Sequence, residues 1–120
     1  MVKIIVLDDM LDAVNLVKRI LKKKGHEVIG FTEEEDALNY ARTHTVDLAI
    51  LDIKLKKMSG VEVLEEIKKI DSSIRVIMLT AYPTEETELK SIRLGASEYC
   101  IKPIDTKELE EKVAHVLKAG

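Results

Sequence analysis

Short apolar runs alternate along the whole chain with longer stretches in which apolar residues recur every three or four positions. A run of four to six apolar residues suits a strand buried on both faces, whereas the longer spacing suits a helix with one buried stripe. Residues 3–7 are therefore predicted as a first strand. Residues 10–24 follow as a helix, with Leu11, Val14, Val17, Ile20 and Leu21 on one face and Gly25 placed to close it as a C-cap. Residues 27–31 form a second, more polar strand, and Thr32 with Glu35 makes a capping-box pattern for a helix running to Thr43. A third strand is expected over 47–51, then a helix to Ile70 opened by the same pattern at Ser59 and Glu62. Residues 74–79 give a fourth strand. Beyond Pro83, Thr84 can cap a helix whose first turn holds Glu85 and Glu86, where acids complement the helix dipole. Residues 98–101 form a short fifth strand, and Asp105 with Glu108 opens a last helix carrying Leu109, Val113, Val116 and Leu117 on one face.

Strand and helix in strict alternation predict βα units on a parallel sheet. Strands 1, 3 and 4 are the most apolar and belong in the centre, while strands 2 and 5 fall to the edges. With right-handed crossovers this gives an α/β fold, a doubly wound five-stranded parallel sheet of order 2-1-3-4-5, flavodoxin-like in its (βα)5 arrangement. Ligands of such a sheet bind beyond the carboxyl ends of the strands, at the point between strands 1 and 3 where the order reverses.

The residues at those ends carry the chemistry. Asp8 and Asp9 follow strand 1, Asp52 follows strand 3, Thr80 follows strand 4 and Lys102 follows strand 5. Carboxylates converging at one edge repel one another and raise at least one pKa unless a cation neutralises them. Oxygen ligands without a nearby histidine or thiolate suit a hard cation, and Mg²⁺ is commonly held by one or two carboxylates plus a phosphate oxygen. An aspartate can also be a nucleophile toward phosphorus, with the protein supplying position and charge compensation. Asp52, alone at its strand end, suits that task; Lys102 supplies a point charge to a phosphate oxygen, and Thr80 a hydroxyl donor.

Composition narrows the possibilities further. At 120 residues, with 46% hydrophobic positions, a single domain over residues 1–120 is expected. A net charge of −3 argues against direct binding of nucleic acid or an anionic membrane. No apolar run approaches the roughly 18 residues a membrane span needs, and Asp8, Asp9 and Asp12 interrupt any signal peptide, so a cytoplasmic protein is expected. Cys100 is alone and reads as a buried thiol. His26, His44 and His115 share no spacing that would make a ligand set.

Taken together, the acid pair Asp8-Asp9, Leu51-Asp52, Leu79-Thr80-Ala81 and Lys102-Pro103 resemble, in motif and spacing, the receiver domains of bacterial two-component response regulators over essentially the whole chain. The resemblance implies a signalling switch. A phosphoryl group would pass from a phosphohistidine on a sensor histidine kinase or histidine phosphotransfer protein to Asp52, with Mg²⁺ held by Asp9, Asp52 and the main-chain carbonyl of Lys54, and Asp8 assisting. It implies self-catalysed phosphotransfer and dephosphorylation rather than conventional turnover. It also implies that Thr80 and Tyr99 form the switch, that Lys102-Pro103 is cis, and that an output domain or partner, or a second copy, meets the face of helix 4, strand 5 and helix 5.

Within that pattern the loop Ile53-Lys54-Leu55-Lys56-Lys57 departs from the family by its lysines and by lacking a proline at Lys56. Lys54 is expected either to point to solvent or to reach the pocket and alter phosphoryl lifetime, and Tyr82 either to shield the phosphoryl group or to lie exposed. Three rival functions are weighed against the switch. A flavin or nucleotide binder would need Gly, Ser or Thr where Asp8 and Asp9 stand. A phosphatase of haloacid-dehalogenase type would need a second acid where Lys54 follows Ile53. A receiver-like binding module acting without phosphorylation would be expected to have lost a member of the set, and none is missing.

Overall fold

A computed structural model describes residues 2–118. Five parallel strands, β1 (Lys3–Leu7), β2 (Glu27–Phe31), β3 (Leu48–Leu51), β4 (Arg75–Thr80) and β5 (Glu98–Ile101), stand in the order β2-β1-β3-β4-β5. Between and after them run α1 (Leu11–Lys22), α2 (Glu34–Thr43), α3 (Gly60–Ile70), α4 (Glu85–Arg93) and α5 (Thr106–Lys118). Among the described residues no helix is long and apolar enough to cross a membrane.

Side chains alternate across a strand, and the apolar residues sort accordingly into two cores. Ile5, Leu7, Ala49, Leu51, Val76 and Met78 pack on one face against Ala37, Leu38 and Ala41 of α2 and Val63, Leu64 and Ile67 of α3. On the opposite face Ile4, Val6, Leu48, Ile50, Ile77 and Leu79 pack against Val17, Ile20 and Leu21 of α1 and Leu109, Val113 and Val116 of α5. β1, β3 and β4 are thus covered on both faces, which explains their near-continuous apolar sequence.

Most element boundaries follow local chemistry. Ser59 caps α3 with the reciprocal Glu62 bond, and Thr84 caps α4, with Thr87 rather than a glutamate returning the bond. Asp105 accepts the Glu108 amide at 2.8 Å at the start of α5. α1 ends at Lys22, just past the last residue of its apolar stripe and short of the predicted end at residue 24, and Gly25 turns the chain beyond it at φ +88°.

The expected capping box at Thr32 is a correction. α2 takes Glu33 as its N-cap, and no capping side-chain hydrogen bond is made there. Glu34, one residue on, is turned into the protein and serves a neighbouring loop, so the acids that looked like helix-start residues have unequal environments.

Candidate functional site

The carboxyl ends of β1 and β3 lie side by side, with Leu7 paired to Leu51, so the residues that follow each strand emerge together. Asp8 is anchored at once: its Oδ1 accepts the Met10 amide at 2.9 Å and its own amide donates to the Phe31 carbonyl of β2. Asp52 is anchored from the other side. Its amide donates to the Leu7 carbonyl at 3.0 Å, and its Oδ1 accepts the Ile53 amide at 2.7 Å. Asp9 is half-buried beside them, and one carboxylate oxygen from each of Asp8, Asp9 and Asp52 lies within 4.8 Å of the others.

Lys102 reaches this cluster from the end of β5, where its amide bonds the Thr80 carbonyl and its peptide bond to Pro103 is cis. Its Nζ donates to Asp8 Oδ2 and, at 3.3 Å, to Asp52 Oδ2. One ammonium therefore bridges two buried carboxylates. Burial pushes the Asp52 carboxyl above the ordinary aspartate range; Lys102 opposes this, the Asp8 charge reinforces it, and the Ile53 amide opposes it again, with a net upward result. For Lys102, burial acts downward, but the bonds and charges of Asp8 and Asp52 outweigh it and hold the ammonium charged to higher pH.

Thr80 is fully buried at the end of β4, and its Oγ1 accepts the Tyr82 amide at 3.0 Å. Tyr99 is half-buried on β5, and its hydroxyl shares a 2.8 Å hydrogen bond with Thr87 Oγ1 of α4. Lys54 is exposed, with its Nζ 4.5 Å from the centroid of the Tyr82 ring. Among the described residues Lys54 makes no ion pair with the acid cluster.

Two contributors escaped the sequence reading. Gly60 opens α3 directly beneath Asp52: a Cβ there would lie 1.9 Å from the Asp52 carbonyl oxygen, so only glycine lets the helix approach the acidic strand end. Glu34 accepts the backbone amides of Lys57 and Met58 in the loop between β3 and α3. Glycines are common helix neighbours and acids are common in first turns, so neither position announces its role in one sequence.

Comparison with known proteins decides the family. Residues 4–114 match the response regulator receiver domain. The chain belongs to that family. It is 34% identical over 116 residues to the alkaline phosphatase synthesis transcriptional regulatory protein PhoP of Bacillus subtilis, a match covering 97% of this chain and 48% of the regulator. The chain thus spans about half the length of that curated relative. A CheY-like response regulator receiver domain protein from Methanospirillum hungatei superposes with a TM-score of 0.95 at 32% identity, over 98% of this chain and 94% of that one. The response regulator TrrA of Thermotoga maritima, solved in complex with Mg²⁺-BeF, superposes at 0.87 with 36% identity over 97% and 99% of the respective chains. The chain is accordingly a receiver domain of the two-component type, a phosphorylation-activated switch.

Proposed function

We propose that this receiver takes a phosphoryl group on Asp52 from the phosphohistidine of a sensor histidine kinase or histidine phosphotransfer protein. The bridging of Asp8 and Asp52 by the Lys102 ammonium, inside a three-carboxylate cluster, is the observation that carries the reading. An all-oxygen cluster of this size fits Mg²⁺, which Asp9, Asp52 and the Lys54 carbonyl would hold with Asp8 assisting. When bound, the ion supplies positive charge to the phosphoryl oxygens.

The chain's own groups do the rest. An Asp52 carboxylate oxygen attacks phosphorus, a P–O bond forms as the P–N bond breaks, and the departing imidazole keeps that electron pair and takes up a proton. The Ile53 amide holds the acceptor carboxylate in place, so its attack needs little reorganisation. Lys102 exchanges a carboxylate oxygen for a phosphoryl oxygen, and the Thr80 hydroxyl turns from the Tyr82 amide to donate to the same group. Because Tyr99 is tied to α4 through Thr87, a change in the β4–α4 loop reaches the outer face of the molecule. Leu89, Ile92 and Ile101 are more than half exposed on α4 and β5, and they are where an output domain, a partner or a second copy would dock.

The switch is read as one domain working in the cytoplasm, catalysing its own phosphorylation and dephosphorylation. Incubation with Mg²⁺ and acetyl phosphate should add the mass of one phosphoryl group to the parent and none to Asp52→Ala. A parent that gains no mass overturns the proposal. Lys54 Nζ lies over the Tyr82 ring, and the two residues sit on the segments that follow β3 and β4, so Lys54→Ala should change the phosphoryl half-life or the Mg²⁺ affinity. Identical values for both in parent and variant remove the Lys54 side chain from the site.

A further inference from the structure

Glu34 is 2% exposed, although the acids around it are not buried: Glu33 is half-buried, and Glu35 and Asp36 are exposed. Those neighbours already complement the dipole of α2, so the helix does not need a buried acid. Taking a carboxylate out of water is costly unless its lone pairs are satisfied. One oxygen of Glu34 is satisfied from outside the helix, by the amides of Lys57 and, at 2.7 Å, Met58. The other has no partner among the described residues. Burial pushes this carboxyl up, but the amides of Met58, of Glu34 itself and of Lys57 outweigh it and hold it below its ordinary value, so the group stays ionised.

The loop that receives this charge leaves β3 at Asp52 and returns at Gly60. Its base is closed by the Gly60 amide on the Ile53 carbonyl at 2.7 Å. Its tip is closed by Glu34, with a weak outer tie from Lys56 to Glu33 at 3.8 Å. Lys54 lies between the two fixed points. Without Glu34 the Lys57 and Met58 amides lose their acceptor, and the tip is free to leave its place.

We propose that Glu34 is a positioning residue for the cation site, clamping the tip of the loop so that the Lys54 carbonyl faces Asp9 and Asp52. The inference rests on the reading that this carbonyl joins the two aspartates in holding Mg²⁺. Groups that orient a ligand from behind commonly change metal affinity by about 10–100-fold when removed.

The test is calorimetric titration of the metal-free domain with Mg²⁺, comparing the parent with Glu34→Ala, Glu34→Asp, Glu35→Gln and Asp52→Asn. Glu34→Asp keeps the charge but is too short to reach the loop, and it decides the matter if the alanine variant does not fold. Both Glu34 variants should bind Mg²⁺ about tenfold more weakly, while Glu35→Gln, an exposed neighbour, should bind as the parent does. With acetyl phosphate, the Mg²⁺ concentration for half-maximal phosphorylation should rise by the same factor, while the rate at saturating Mg²⁺ is kept. A purely structural role would instead lower the saturating rate and leave the half-saturation point unmoved. A parent that binds no Mg²⁺, or an Asp52→Asn variant that binds as tightly as the parent, overturns the site reading itself. A parent that binds normally alongside Glu34 variants with unchanged affinity overturns this inference alone.

Discussion

The acceptor side of the molecule and its outer α4–β5 side are built to different standards. Around Asp52 the strands are fully buried, Asp8 and Thr80 are buried with their polar atoms bonded, and α3 sits so close that only glycine fits. Around α4 the helix buries Ser91 alone, with that hydroxyl unpartnered among the described residues, and Leu89 and Ile92 face outward. Tight packing forbids small adjustments, whereas a helix with one small buried side chain is held by few contacts. The difference suits a switch that holds its chemistry rigid and lets a weakly attached element move.

Core truncations on the two sides should separate this contrast most widely. Ile77→Ala, in the centre of β4, should lower unfolding free energy by about 2–5 kcal/mol, whereas Ile92→Ala should change it by no more than about 0.5 kcal/mol. Urea denaturation measures both, and equal losses would break the comparison. Next in size, Gly60→Ala should cost about 1–3 kcal/mol by pressing a methyl group on the Asp52 carbonyl, and it should also slow phosphorylation by acetyl phosphate. A neutral result there would mean that the approach of α3 to Asp52 is looser than 1.9 Å implies.

Asp52→Asn sharpens the comparison by its sign. The folded chain raises the Asp52 pKa, so folding favours the protonated acid, and the ionised group detracts from stability at neutral pH. Removing that charge should raise the melting temperature at neutral pH by about 4 °C, the shift that a gain of order 1 kcal/mol gives in a domain this size. The gain should shrink as pH falls through the raised folded pKa, and vanish below the ordinary aspartate value of about 4. A gain that grows in acid would contradict the burial argument. Smallest of the four, Tyr99→Phe removes one half-buried hydrogen bond to Thr87 and should cost about 1 kcal/mol or less. Its sharper readout is amide exchange in α4, which should quicken in the variant while Asp52 still accepts phosphate at the parent's rate.

Much of this was legible in one chain. The βα alternation, the strand order and the convergence of Asp8, Asp9, Asp52 and Lys102 all follow from apolar periodicity and from which residues end each strand. Ser59 and Thr84 cap their helices because the capping signal is local, two bonds made within three residues. Thr32 failed for the complementary reason: Glu34 found acceptor work more than twenty positions away in sequence, at the Lys57 and Met58 amides, and the helix starts to suit it. That choice depends on which loop folds against α2.

The sequence by itself therefore determined the sheet, its order and the identity of the acid cluster, because burial patterns and strand termini are written within short windows. Only the tertiary structure decided how the cluster is held. Which oxygens Lys102 bridges, why residue 60 must be glycine, why Glu34 is buried and where Lys54 rests are all settled by segments that meet across the fold. Contacts of that kind are governed by distance in space, and periodicity along the chain carries no record of them.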